Sequence, residues 1–137
     1  MFCPKHSHEV ALKQIARYLR LAREHGLVMN SNSDMMKIDC YPDADFAGMH
    51  GHEKPTDPAC VKSCTGFTIT FADCPVLWVS KPQTETALST MDAEINVLAH
   101  SCRELFPIID LVKSVGKVVG LPIRETTNKV SMHEDNT

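Results

Sequence analysis

Three carboxylates in this sequence stand where structural elements begin or end. Asp43 closes an alternating strand, Glu94 lies early on a long helix, and Asp135 ends a short strand candidate. Brought together at one edge of a sheet, three such groups repel strongly unless they are protonated or hold a cation. A donor set of carboxylate oxygens alone, without sulfur or nitrogen, suits Mg²⁺ or Mn²⁺. Ions held this way activate water and stabilise the leaving oxygen in phosphodiester hydrolysis. Acids at strand ends also serve as solvated turn residues, so spacing alone leaves both readings open.

The elements that must position these acids follow from periodicity. Leu12, Ile15, Leu19 and Ala22 share one face of a helix over 7–25, and Gly26 is a natural stop. Lys13, Arg17 and Arg20 form a basic stripe on another face, either a solvated surface or one that tracks phosphates. A short strand over 27–29 precedes a turn at NSNSD, after which Met36, Ile38 and Cys40 alternate with polar residues in a strand running into Asp43. Residues 48–58, rich in Gly, Pro, His and acids, read as a loop. Phe67, Ile69 and Phe71 alternate with Thr68 and Thr70, and a turn at ADCP leads into VLWVS to complete a hairpin. Trp78, in that second strand, is expected in the core, with base stacking as the other reading.

The longest helix candidate runs from about Ser89 to Gly116. Ser89 or Thr90 serves as N-cap, and Asp92 and Glu94 fall in the favoured acidic first turn. Leu98, Cys102, Leu105 and Ile109 continue its apolar face, and Pro107 is expected to kink the helix or split it in two. A strand over 129–134 then leads to Asp135. In a β-β-β-α-β layout with the two Asp-bearing strands adjacent, the three acids converge at one edge of the sheet.

Composition bounds the possibilities. The 137 residues are 43% hydrophobic and 23% charged, the profile of one globular domain. A net charge of −3 excludes a bulk basic character, so nucleic-acid binding needs a local basic surface. Apolar runs such as LFPIIDLV are too short and interrupted to span a membrane, and Lys5, His6, His8, Glu9 and Lys13 interrupt any signal-peptide core. Six irregularly spaced cysteines (3, 40, 60, 64, 74 and 102) read as free thiols in a reducing compartment. His50-x-His52 with Cys60-x3-Cys64 offers a tetrahedral zinc site as an alternative to a plain loop with two thiols. No Ser-His-Asp set or Gly-rich phosphate loop is present. Lys62 and Lys81 flank the hairpin, either as solvated lysines or as contacts to a phosphate backbone.

The words around the acids narrow this further. HSHEVALKQIARYLRLAREHGL is similar to the helix that ends a Ty1/copia-type reverse transcriptase, written near K-R-I-L-R-Y-L-K-G-T. CYPDADFAG is similar to Y-S-D-A-D-W-A-G. DPACVKSCTGFTITFADCPVLWVSKPQTETALSTMDAEINVL resembles K-S-T-S-G-Y…P-I-S-W-x-S-K-x-Q…A-L-S-T-E-A-E-Y, and HEDNT resembles a D-N-Q or D-N-T segment. In this order and spacing, covering nearly the whole chain, they resemble the ribonuclease H region of Ty1/copia-type retrotransposon polyproteins.

The resemblance implies an α/β (α+β) fold: a ribonuclease H-like mixed sheet with a long helix after a β-meander, incomplete at its C-terminus, plus an extra N-terminal helix. Residues 1–30 would be the terminal helix of the reverse transcriptase and 31–137 a partial ribonuclease H-like domain. By position, Asp43, Glu94 and Asp135 match the family's catalytic, metal-holding carboxylates, with Asp45, Asp92 and Glu134 as neighbouring rivals. The implied activity is hydrolysis of the RNA strand of RNA–DNA hybrids by two Mg²⁺ ions, with Mn²⁺ as a substitute. The implied partners are the hybrid and a reverse transcriptase module in cis, and the implied setting is a cytoplasmic virus-like particle. Phe46 replaces the usual Trp, Ile95 the usual Tyr, and Asp92 the common Glu. The family's fourth acid, on a later helix, has no counterpart in these residues, so the chain alone is expected to be inactive. The alternative is an inactive retroelement remnant or a non-catalytic nucleic-acid- or zinc-binding module.

Overall fold

The fold is described from a computed structural model, in which residues 5–31, 37–48, 50–51, 56–120 and 129–134 are described. Helix α1 covers His6–Leu21, strand β1 Ile38–Asp45, and a 3₁₀ turn Pro58–Val61. Strands β2 (Cys64–Phe71) and β3 (Cys74–Pro82) form the hairpin, helix α2 covers Thr90–Val119, and strand β4 covers Val130–Met132. The sheet order is β3-β2-β1-β4, with β1–β2 and β2–β3 antiparallel and β1–β4 parallel. This is the mixed α+β arrangement expected from the sequence, and the strand that leads towards Asp135 is the neighbour of the strand carrying Asp43.

The core is made by alternation. Ile38 and Cys40 of β1, Phe67 and Ile69 of β2, and Val97 and Leu105 of α2 are buried together. Ala44, Leu77 and Val79 pack against them. Thus α2 covers the face formed by even-numbered β1 residues and odd-numbered β2 residues, as the pleat requires. Pro42 fits inside β1 for a specific reason. Ile38 N–H donates to Lys129 O and His133 N–H to Cys40 O, each at 2.9 Å, so even-numbered β1 residues turn their backbone towards β4. The β1–β4 pairing ends at Cys40, and the missing N–H of Pro42 costs no bond to β2.

Several expectations need correction. Trp78 is 61% exposed and lies outside the core, because Leu77 and Val79 take the positions facing α2 and alternation turns Trp78 to the other face. Residues 27–29 form no strand. Helix α2 is one continuous helix through Pro107 to Val119, reaching past Gly116. Pro107 lacks the N–H that would bond the Arg103 carbonyl, and both residues are exposed, so water can satisfy that oxygen; the chain leaves the helix at Gly120, whose φ of 70° suits glycine. The first strand extends two residues beyond Asp43, β2 begins at Cys64, and β4 is trimmed to Val130–Met132. Met36, where the first strand was expected to begin, lies outside the described residues. Cys40, Cys60, Cys64, Cys74 and Cys102 carry free thiols, and Cys3 lies outside the described residues.

Candidate functional site

The end of β1, the start of β2, the end of β3 and the first turn of α2 are tied together by hydrogen bonds. Ser63 is fully buried: its hydroxyl accepts from Ala47 N–H at 3.2 Å and its carbonyl accepts from Gln83 N–H at 2.8 Å. Gln83, itself buried, donates from Nε2 to Ala93 O at 2.9 Å. Glu94 follows Ala93 directly and is half-buried. Asp43, level with Gly66 across the β1–β2 pair, is exposed.

Asp43 and Glu94 therefore stand at the same end of the sheet, Asp43 near the end of β1 and Glu94 near the start of α2. Asp135 lies outside the described residues, immediately after Glu134. Among the described residues, no three His, Cys, Asp or Glu side chains come together closely enough to hold a metal ion.

The rival acids have local work. Ser89 Oγ accepts from Asp92 N–H at 3.1 Å, and the Asp92 carboxylate accepts from Leu88 N–H at 2.9 Å. This reciprocal arrangement satisfies donors that a helix start leaves open. The Asp45 carboxylate lies over Gly48, where a Cβ would overlap it. Asp92 is thereby committed to a helix cap.

A buried carboxylate with two basic partners was not anticipated from the sequence. Asp39 is fully buried; His133 Nε2 lies 2.8 Å from Oδ1, and Lys37 Nζ makes an ion pair with Oδ2 at 2.8 Å. The His133 ring stacks on Tyr41, with centroids 4.8 Å apart. Burial by itself would raise the Asp39 carboxyl, but Lys37 and His133 outweigh it and hold Asp39 below its ordinary range. Lys37 is in turn raised, chiefly by its bond to Asp39. The alternation around Asp39 reads as an ordinary solvent-facing residue, which is why the sequence concealed it. Gln83, by contrast, is the Gln of the quoted S-K-x-Q motif, a usable signal.

Lys62 is half-buried and Lys81 exposed, the latter paired across the hairpin with Thr65. Of the zinc candidate, His52 lies outside the described residues, and His50, Cys60 and Cys64 form no metal-holding group. No helix among the described residues is long and apolar enough to cross a membrane.

Comparison with known proteins bears on the origin of this arrangement. A Retrovirus-related Pol polyprotein from transposon RE2 of Arabidopsis thaliana is 29% identical over 116 residues, 85% of this chain and 7% of the relative. The corresponding protein from transposon TNT 1-94 of Nicotiana tabacum is 32% identical over 113 residues, 82% of this chain and 8% of the relative. The chain is related to retrotransposon Pol polyproteins. It spans less than a tenth of the length of these polyproteins. A Secreted RxLR effector protein 161 of Plasmopara viticola is also similar, 31% identical over 102 residues, 74% of this chain and 64% of the relative. No family model matches the chain, and no solved structure matches it.

Proposed function

We propose that this polyprotein segment belongs to a ribonuclease H module that hydrolyses the RNA strand of RNA–DNA hybrids, with Asp43, Glu94 and Asp135 as its metal-holding acids. The observation that carries the reading is the parallel pairing of β4 with β1: it sets the strand that runs towards Asp135 beside the strand that bears Asp43. The similarity to Pol polyproteins over 85% of the chain supports it. Carboxylate donors fit a hard divalent cation, and its helix-cap bonds leave Asp92 less suited to the task. Bound Mg²⁺ or Mn²⁺ would supply a Lewis acid and an activated water. The protein's part is to anchor the acids: Gln83 and Ser63 pin the first turn of α2 and the end of β1. Hybrid recognition would run through backbone and minor-groove shape, including 2′-hydroxyls.

These residues carry three of the family's four acids, so the 137-residue chain by itself is expected to cleave a labelled RNA–DNA hybrid weakly or not at all in Mg²⁺. Calorimetric titration should show weak Mg²⁺ binding, weakened further by Asp43→Asn and unaffected by Asp92→Asn. Equal loss in both variants would remove the assignment of Asp43, and robust cleavage by the chain alone, abolished by Asp43→Asn, would overturn its inactivity.

A further inference from the structure

A groove beside the candidate acids carries chemistry that their assignment does not use. Between the end of β3 and the outer side of α2 lies a cavity of about 310 Å³, lined among others by Lys81, Gln83, Glu85, Asn96, His100 and Arg103. We propose that this groove is a phosphate-binding subsite in which Lys81, His100 and Arg103 hold a phosphodiester of a nucleic-acid backbone. It rests on the hybrid-binding reading only for the source of the phosphate.

The electrostatics run against the whole molecule. The chain is −3 overall, yet the groove sets Lys81 and Arg103 against the single carboxylate Glu85. Arg103 presents a planar fork suited to two phosphate oxygens, and Lys81 a mobile point charge. Asn96 adds amide donors at the same wall. His100 lines the same groove, and its ring meets Phe67 edge-on, with centroids 5.3 Å apart.

The state of His100 reports the local field. Its pKa is lowered, first by burial and then by the positive charge of Lys81 and Arg103, with Glu104 opposing. The groove's own cations therefore disfavour a further positive charge. A phosphate seated there would compensate the two cations and draw the His100 pKa upwards. Lys81 and Arg103 are both exposed, so each is replaceable without opening the core.

The test uses the full chain in EDTA, with the His100 ring followed by NMR across pH. Inorganic phosphate and a short RNA–DNA hybrid form the two arms. Both should raise the His100 pKa, and the hybrid should saturate at a concentration about tenfold or more lower. Lys81→Ala and Arg103→Ala should each weaken hybrid binding severalfold and reduce its salt dependence by about one counterion. A His100 pKa unmoved by either ligand, or variants that bind like the parent, would overturn the subsite. Response to phosphate but not to hybrid would overturn the backbone assignment. Because no metal is present, a negative result here leaves the metal-holding acids to their own Mg²⁺ titration, and the two readings fail separately.

Discussion

Asp39 is the residue in which burial and charge are most tightly coupled. Its side chain is 1% exposed, while Lys37 and His133, which hold it, are 31% and 45% exposed. The carboxylate is thus fixed in a desolvated position by partners that solvent still screens. Asp39→Asn keeps the shape but leaves Lys37 without its counter-charge, and should cost about 1–3 kcal/mol, less than a fully buried pair. The pH dependence has a definite sign. A folded-state pKa below the ordinary carboxyl value means the stabilisation is present above that ordinary value and disappears as pH falls through the folded one. Urea midpoints at several acidic pH values, compared between the parent and Asp39→Asn, should converge at the lowest pH. Parallel curves would show that the ion pairs contribute nothing to the acid response. His100 shows the opposite chemistry with the same directional result: its lowered pKa penalises protonation, so its contribution is present above 6.5 and is lost as pH falls below that value.

At the scale of elements, the tightest feature is the β2–β3 hairpin. Ala72 and Asp73 join the strands with φ of 50° and 65°, a two-residue turn with both central residues left-handed. Aspartate tolerates that region, whereas alanine is strained by about 1–2 kcal/mol there. Ala72→Asn should therefore stabilise the fold by about 0.5–1 kcal/mol, measured as a higher thermal midpoint; a lower midpoint would mean that the side chain, rather than the backbone, sets the turn. The hairpin also shows how legibility varied. The Phe67–Phe71 strand was readable because its Thr residues mark one face as polar. The partner strand, with Val76, Leu77, Trp78 and Val79 in succession, carries no polarity to tell its faces apart. The register shift between Ile69 and Thr70 is equally silent in the residues. Helix α2 declared its start through Ser89 and Asp92 but not its length, because an exposed Pro107 is tolerated by a helix whose buried stripe continues at Ile108, Ile109 and Val112. Of the candidate site, the motifs supplied the proposed acids, and the hydrogen bonds of Gln83 and Ser63 show what anchors the elements that carry Asp43 and Glu94. The burial of Asp39 was not legible, since motifs specify order along the chain and not strand parity.

At the scale of the whole molecule, the described elements differ in how they pack. The sheet and α2 share a core, whereas α1 has no buried residue and packs on no other described element. Its apolar stripe is open: Leu12 and Leu19 are each 62% exposed and Ile15 is 55% exposed. Within α1, the Lys13–Glu9 pair at 2.5 Å lies on the surface and is worth only a few tenths of a kcal/mol. Such a helix is marginal by itself and adds little to the stability of the sheet. Replacing Leu12 and Leu19 together with Gln should accordingly leave the chemical-unfolding midpoint of the sheet nearly unchanged, within about 0.5 kcal/mol. The same double change should reduce concentration-dependent self-association, because it removes both leucines of an exposed apolar stripe. Circular dichroism during urea unfolding reads the first quantity and sedimentation velocity the second. A destabilisation of several kcal/mol would mean that α1 is part of the same cooperative unit as the sheet, and the boundary near residue 30 would then have no physical meaning.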